Sequence, residues 1–234
     1  RFDKPPLIYW LMGLFYSLPN QPHWDPLGTW SARLPSALST LLIALLLGDT
    51  AMRWPLKGDL FIRRTALSVV LAFALSPLVL LWSRIAVSDA LLCSTLGISF
   101  LLQWRTYVNP NKKSWLFGWG LLGLAVLTKG PVAIVLMFLT LTLFGFQQRN
   151  FDLLFKRLKP LRGLIITLLV SLPWYFLELL KEGKPFWDSF FGYHNFQRFT
   201  SVVNSHSQPL WFFLLILFIA SFPFTPFLIF GLWN

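Results

Sequence analysis

Two stretches of this chain, residues 65–83 and 210–233, contain no acidic or basic residue at all. A soluble core answers its apolar stripes with charged surface. Uncharged runs of roughly 20 residues instead match the hydrocarbon thickness of a bilayer, where only a helix or a closed barrel can satisfy the backbone. Further apolar runs occupy 33–47, 90–104, 114–128, 131–146 and 163–177. Several fall short of a full crossing and must borrow length from their flanks. Charged residues make up only 12% of the chain and hydrophobic ones 56%, against about 25% charged in soluble domains. The expected fold is all-α, a polytopic transmembrane helical bundle formed as a single domain over 1–234, with about six full spans. Residues 7–18, which follow Pro5-Pro6 and carry Tyr9, Trp10 and Tyr16, read as a juxtamembrane helix at the interface.

The polar segments separate by charge. Those at 53–64, 105–113 and 149–162 hold twelve of the 20 Lys and Arg residues, which marks their side as cytoplasmic by the positive-inside tendency. The 149–162 segment is the one place where disorder is expected. The net charge of +11 follows no continuous stripe and no nucleic-acid motif, so nucleic acid is excluded as a partner. A lone cysteine, Cys93, sits inside an apolar run, which leaves neither an internal disulfide nor a thiolate metal cluster.

The opposite, outward side collects Asp3, Lys4, Arg33, Arg84, Asp89, Lys129, His194 and Arg198. Ionisable groups at a membrane edge are costly and commonly mark a site. Each also has a plainer reading. Asp3 and Lys4 can form an interfacial salt bridge with a snorkelling lysine. Asp89, directly after Ser88 and before an apolar run, suits a helix N-cap as well as catalysis. Arg84 can simply mark a helix end. Lys129 stands before Gly130-Pro131, a helix break, where it can snorkel or contact phosphate. His194 and Arg198, four apart, share a face if their segment is helical, and suit an anionic group or, for His194, a metal. An outward acid with several cations beside an apolar groove fits a lipid-linked phosphate donor: cations for the phosphate, spans for the prenyl tail, the acid for the acceptor.

Six motifs then occur in one order: Phe2-Asp3-Lys4-Pro5-Pro6-Leu7 with Tyr9-Trp10; Ala32-Arg33-Leu34-Pro35-Ser36-Ala37; Ser83-Arg84 with Asp89-Ala90-Leu91; Leu124-Ala125-Val126-Leu127-Thr128-Lys129-Gly130-Pro131; Leu172-Pro173-Trp174-Tyr175; and His194 with Gln197-Arg198-Phe199. Together they resemble the polyprenyl-phosphate-dependent GT-C glycosyltransferases of the aminoarabinose (4-amino-4-deoxy-L-arabinose) transferase type, relatives of the protein O-mannosyltransferases. The resemblance implies an integral enzyme, in the bacterial inner membrane, that moves a sugar from a polyprenyl phosphate to a lipid, glycan or protein acceptor on the periplasmic side. It implies phosphate contacts from Lys4 and Lys129, with Arg33, Arg84, His194 and Arg198 as further donor-phosphate ligands and Asp3 and Asp89 as candidate catalytic acids. Asp3 with His194 are the candidate ligands of a divalent metal ion. Family members typically carry glutamate where this chain has Asp3, so the carboxylate is retained with a shorter reach. They also carry an earlier span, an acidic motif in the first outer loop and further C-terminal parts, so the chain is expected to be a fragment. A transporter or flippase of a lipid-linked or anionic solute is the rival reading. It would place polar groups within the spans and repeat the fold in two halves, whereas the apolar runs here are nearly free of charge and show no internal repeat.

Overall fold

The computed structural model describes residues 4–17, 30–55, 58–110, 114–197 and 209–233. Asp3 and Arg198, and the side chain of His194, fall outside that description. The described chain is helical throughout: α1 (Leu7–Tyr16), α2 (Trp30–Arg53), α3 (Ile62–Ala74), α4 (Pro77–Trp82), α5 (Ser88–Val108), α6 (Ser114–Lys129), α7 (Val132–Gln148), α8 (Phe151–Leu158) and α9 (Pro160–Glu182). A short α10 (Lys184–Phe186) runs into a π-helical segment (Trp187–Gln197), and α11 (Leu210–Ser221) and α12 (Thr225–Trp233) close the chain. The all-helical membrane bundle expected from the apolar runs is the architecture found. By length and composition α2 and α9 can each cross a bilayer alone, and α11 with α12 can do so as a bent pair.

Two of the uncharged runs are not single helices. Residues 65–83 are divided between α3 and α4 because Pro77 removes an amide donor and forces Ser76 into an extended conformation (φ −61, ψ 130). Residues 210–233 bend sharply between α11 and α12, where Phe222 is likewise extended ahead of Pro223. The 149–162 segment is ordered as α8 rather than disordered. The Asn150 side chain caps it by accepting from the Leu153 amide at 3.0 Å, Asp152 lies in its first turn, and Lys156 and Arg157 lie in its last. Leu154 and Leu158 then anchor its apolar side in the core.

Helix α6 is the centre of the bundle, packed between α5 and α9, while α2 lies on the far side of α5 and α3 beyond α2. Lipid offers no hydrophobic force to drive helices together, so close packing and interhelical hydrogen bonds must do it. Here Ser99 of α5 donates to the Gly118 carbonyl at 2.6 Å, and Thr167 of α9 donates to the Trp119 carbonyl at 2.9 Å. Small residues permit that approach. A Cβ at Gly118 would stand 2.9 Å from the Gln103 amide nitrogen, and one at Gly163 would fall within the Trp119 indole. Trp119 is itself fully buried and donates from Nε1 to the Leu158 carbonyl at 2.9 Å, tying the α8–α9 turn to α6. Helix α5 turns its polar side inward, with Ser94, Thr95, Ser99, Gln103 and Thr106 all buried. Its 21 residues therefore face protein more than lipid.

At one end of the bundle Asp49 of α2 pairs with Arg53 (2.8 Å) and with Arg105 of α5 (2.8 Å), and Arg105 also donates to the Leu46 carbonyl at 3.0 Å. Arg157 of α8 donates to the Tyr107 carbonyl at the same end of α5, so described basic residues of all three charge-rich segments meet the bundle there. Gly163→Ala should lower the thermal midpoint of the protein in detergent. Displacing the Trp119 ring is expected to cost about 1–3 kcal/mol, more than the helix-propensity gain of about 1 kcal/mol. An unchanged midpoint would refute the tight α6–α9 contact.

Candidate active site

The other end of the bundle carries the outward candidates. Helix α6 ends at Lys129 because Gly130 takes a left-handed conformation (φ 88), which side chains with a Cβ resist, and because Pro131, which has no amide donor to continue α6, is the N-cap residue of α7. Two donors converge on the carbonyl of Val126, one turn earlier: the Gly130 amide at 2.8 Å and the phenol of Tyr175 on α9 at 3.0 Å. The two hydrogen bonds on this one carbonyl fix the end of α6 against α9 and set the position from which Lys129 projects.

Lys129 forms an ion pair with Asp89, forty residues earlier in the chain. Its side chain remains 44% exposed and that of Asp89 21%, so the pair lies at a surface rather than in the core. Asp89 is not the N-cap of α5. Val87 occupies that position, Ser88 is the first helical residue, and the Asp89 carboxylate points to Lys129 instead of to a backbone amide. Its place in the first turn still lets the helix dipole favour its negative charge. The approach to α5 is held from α2, where Ser36 donates to the Val87 carbonyl at 3.2 Å. Beside it the Ser88 hydroxyl is buried with no hydrogen-bond partner among the described residues.

The remaining candidates are placed with less mutual contact. Lys4 is exposed ahead of α1, while the adjoining Pro5, Pro6, Leu7 and Ile8 are buried. Leu7 and Ile8 join the same apolar cluster as Leu127, Tyr175 and Phe190, which ties the Lys4 segment to the helices that carry Lys129 and the π-helix. Arg33 is exposed in the first turn of α2, and Arg84 is exposed two residues after α4 with no carboxylate in salt-bridge distance among the described residues. The Asp89–Lys129 pair joins two of the outward candidates directly.

His194 stands on the π-helix, where backbone bonds skip five residues instead of four; such segments are rare and frequent at functional sites. Phe186 and Phe190 stack at 5.5 Å with planes 9° apart, and Phe190 packs on Tyr175 at 5.5 Å, so the ring that steadies α6 also steadies the π-helix. Among the described residues no three His, Cys, Asp or Glu side chains converge as a metal site. The Asp3–His194 metal pair lies outside the described side chains. The Tyr175 bond and the buried Ser88 hydroxyl were not singled out by sequence reasoning, although Tyr175 closes one of the six motifs.

Residues 3–176 match the family described as dolichyl-phosphate-mannose-protein mannosyltransferase. The chain belongs to that family. The matched span takes in Lys4, Asp89, Lys129 and Tyr175 and stops short of the π-helix. Among relatives of the mannosyltransferase family chain, an undecaprenyl phosphate-alpha-4-amino-4-deoxy-L-arabinose arabinosyl transferase of Pseudomonas paraeruginosa is 28% identical over 236 residues, covering 96% of this chain and 39% of its own. One of the same description from Pectobacterium carotovorum is 29% identical, covering 97% and 39%. The crystal structure of ArnT from Cupriavidus metallidurans bound to undecaprenyl phosphate superposes with a TM-score of 0.83 at 26% identity, over 96% of this chain and 39% of that one. The chain thus spans about two-fifths of the length of these relatives.

Tyr175→Phe should lower stability by about 1 kcal/mol, the net worth of one hydrogen bond, read as a drop in thermal midpoint in detergent. No drop would show that the phenol does not hold α6.

Proposed function

We propose that this chain is the membrane-embedded part of a glycosyltransferase that moves a sugar from a polyprenyl phosphate to an acceptor. The observation that carries this is the Asp89–Lys129 pair at one end of an apolar bundle, in a fold that matches a transferase homologue crystallised with undecaprenyl phosphate. The bundle supplies a phase for the prenyl tail, and its end supplies the half-exposed cation that a phosphate at the membrane edge requires. Nothing among the described helices favours a transporter or flippase.

In the reaction an acceptor nucleophile attacks the sugar C1, and the bond from C1 to the phosphate oxygen breaks. The polyprenyl phosphate leaves with the bonding electron pair, and the acceptor proton passes to a carboxylate. Preorganised cations stabilise the charge that accumulates on the leaving phosphate. We assign that role to Lys129, supported by its half-exposed position at the bundle end, and to Lys4, which precedes the α1 helix that packs on α6. Asp3 is the candidate acid beside Lys4. Asp89, whose carboxylate is taken up by Lys129, acts on the donor as a positioning residue that aims this cation. Arg33, Arg84, His194 and Arg198 are further donor-phosphate contacts. The donor is a pentose or hexose, and the relatives' descriptions favour aminoarabinose. The basic end of the bundle faces the cytoplasm of a bacterial inner membrane, which turns the site to the periplasm.

The full-length protein in liposomes with a radiolabelled polyprenyl-phosphate sugar tests this through release of free polyprenyl phosphate. Lys4→Ala and Lys129→Ala should each reduce release by about a hundredfold or more with the thermal midpoint retained. Wild-type release in both refutes the phosphate clamp, and transfer of labelled lipid between leaflets without release transfers the case to a flippase. Asp89→Asn should cost less than Lys129→Ala, and the double variant should be no worse than Lys129→Ala alone, as for residues acting through one another. Additive losses would give Asp89 a role of its own.

A further inference from the structure

The turn between α8 and α9 lies at the end of the bundle opposite Asp89–Lys129, next to the last turn of α5. Arg157 of α8 faces inward there, donating to the Tyr107 carbonyl and lying 5.5 Å from the centre of the Tyr107 ring. Lys156 and Arg162 do not. Lys156, Lys159 and Arg162, with Phe155, Pro160 and Leu161, line an open cleft of about 320 Å³. Lys156 and Arg162 are exposed, and no described carboxylate comes within salt-bridge distance of any of the three.

The backbone builds this cluster. Lys159 is left-handed (φ 49), an uncommon conformation for a residue with a side chain. Its amide closes α8 on the Phe155 carbonyl at 3.0 Å, and its carbonyl accepts from the Gly163 amide at 2.9 Å to open α9. Lys156 and Arg162, three residues to either side, are thereby folded around one turn. The Lys159 ammonium is 5.0 Å from the ring centre of Trp115, at the start of α6, and tryptophan is enriched at membrane interfaces.

The cleft is also continuous with an apolar surface. Leu161, Ile165, Leu169, Leu172 and Phe176 are spaced three or four apart on α9 and are all at least half exposed. They form one face of a helix able to cross the bilayer. A water-soluble anion would leave the exposed Phe155 and Leu161 in the cleft wall without a purpose. A lipid with a phosphate headgroup uses both halves.

We propose that Lys156, Lys159 and Arg162 form a binding site for the headgroup phosphate of an anionic phospholipid, with an acyl chain lying along the Leu161–Ile165–Leu169 face. Basic side chains near a membrane surface attract anionic lipid, and basic pockets between helices hold such headgroups.

Native mass spectrometry of the full-length protein in neutral detergent, with dioleoyl phosphatidylglycerol or dioleoyl phosphatidylcholine added in turn, tests the site. Phosphatidylglycerol adducts should exceed phosphatidylcholine adducts by about tenfold and should survive an excess of inorganic phosphate. The preference should vanish in K156Q/K159Q/R162Q and persist in R63Q/R64Q, a neutralisation elsewhere at the same end. Arg162→Glu, a single exposed change, should weaken it should the triple variant prove unstable. Undiminished phosphatidylglycerol binding in the triple variant or in Arg162→Glu overturns the proposal. An equal loss in R63Q/R64Q would make the attraction diffuse, and displacement by inorganic phosphate would make the site one for a free anion; either result also overturns it.

Discussion

The structure depends on how closely α6 can approach α5 and α9. In a bilayer the lipid tails are as apolar as the helices, so burial alone does not choose partners. Contact has to come from surfaces without protruding side chains and from polar groups that find each other. Gly118, Gly123 and Gly163 supply the first, and the hydroxyls of Ser99 and Thr167, donating to α6 carbonyls from either side, supply the second. The fully buried Trp119 then fills the space beside Gly163 and ties the α8–α9 turn into the same contact. On the inward polar face of α5, Thr95 and Thr106 donate back to the Leu91 and Leu102 carbonyls of their own helix, whereas Ser99 spends its hydroxyl on α6.

The site end inherits its geometry from this packing. Lys129 is aimed by the termination of α6 at Gly130, by the Tyr175 phenol on the Val126 carbonyl, and by Asp89 on the start of α5. Three helices therefore decide where one ammonium group stands. The aromatic stack of Tyr175, Phe190 and Phe186 carries the same constraint into the π-helix. A cation held from several sides loses little freedom on meeting a phosphate, which is the condition under which fixed charge favours a transition state.

The two ends differ in how their charges are used. At the Asp49 end, Arg53 answers Asp49 within α2, while Arg105 answers the same carboxylate and the Leu46 carbonyl and so fastens α5 to α2. Lys156, Lys159 and Arg162 at the α8–α9 turn have no such acidic partners among the described residues; Lys156 and Arg162 are exposed beside exposed apolar side chains, and Lys159 lies over the Trp115 ring.

Much of this was legible in the chain. The uncharged runs at 65–83 and 210–233 identify a membrane bundle, because no soluble surface can be made from them. Alternation of basic segments places Asp89 and Lys129 at the same end, and Gly130-Pro131 marks where α6 must stop. Periodicity and propensity are local, however, and they could not show that Asp89 gives up an N-cap role for an ion pair with Lys129, or that Asn150 and buried leucines make the helix α8 inside 149–162. The sequence by itself determined the solvent of the chain, its helical class and the end at which its outward charges collect, since these follow from the cost of placing charge and backbone in hydrocarbon. Only the tertiary structure decided which of those charges meet, because residues forty positions apart are joined by helix packing and by nothing in their own neighbourhoods.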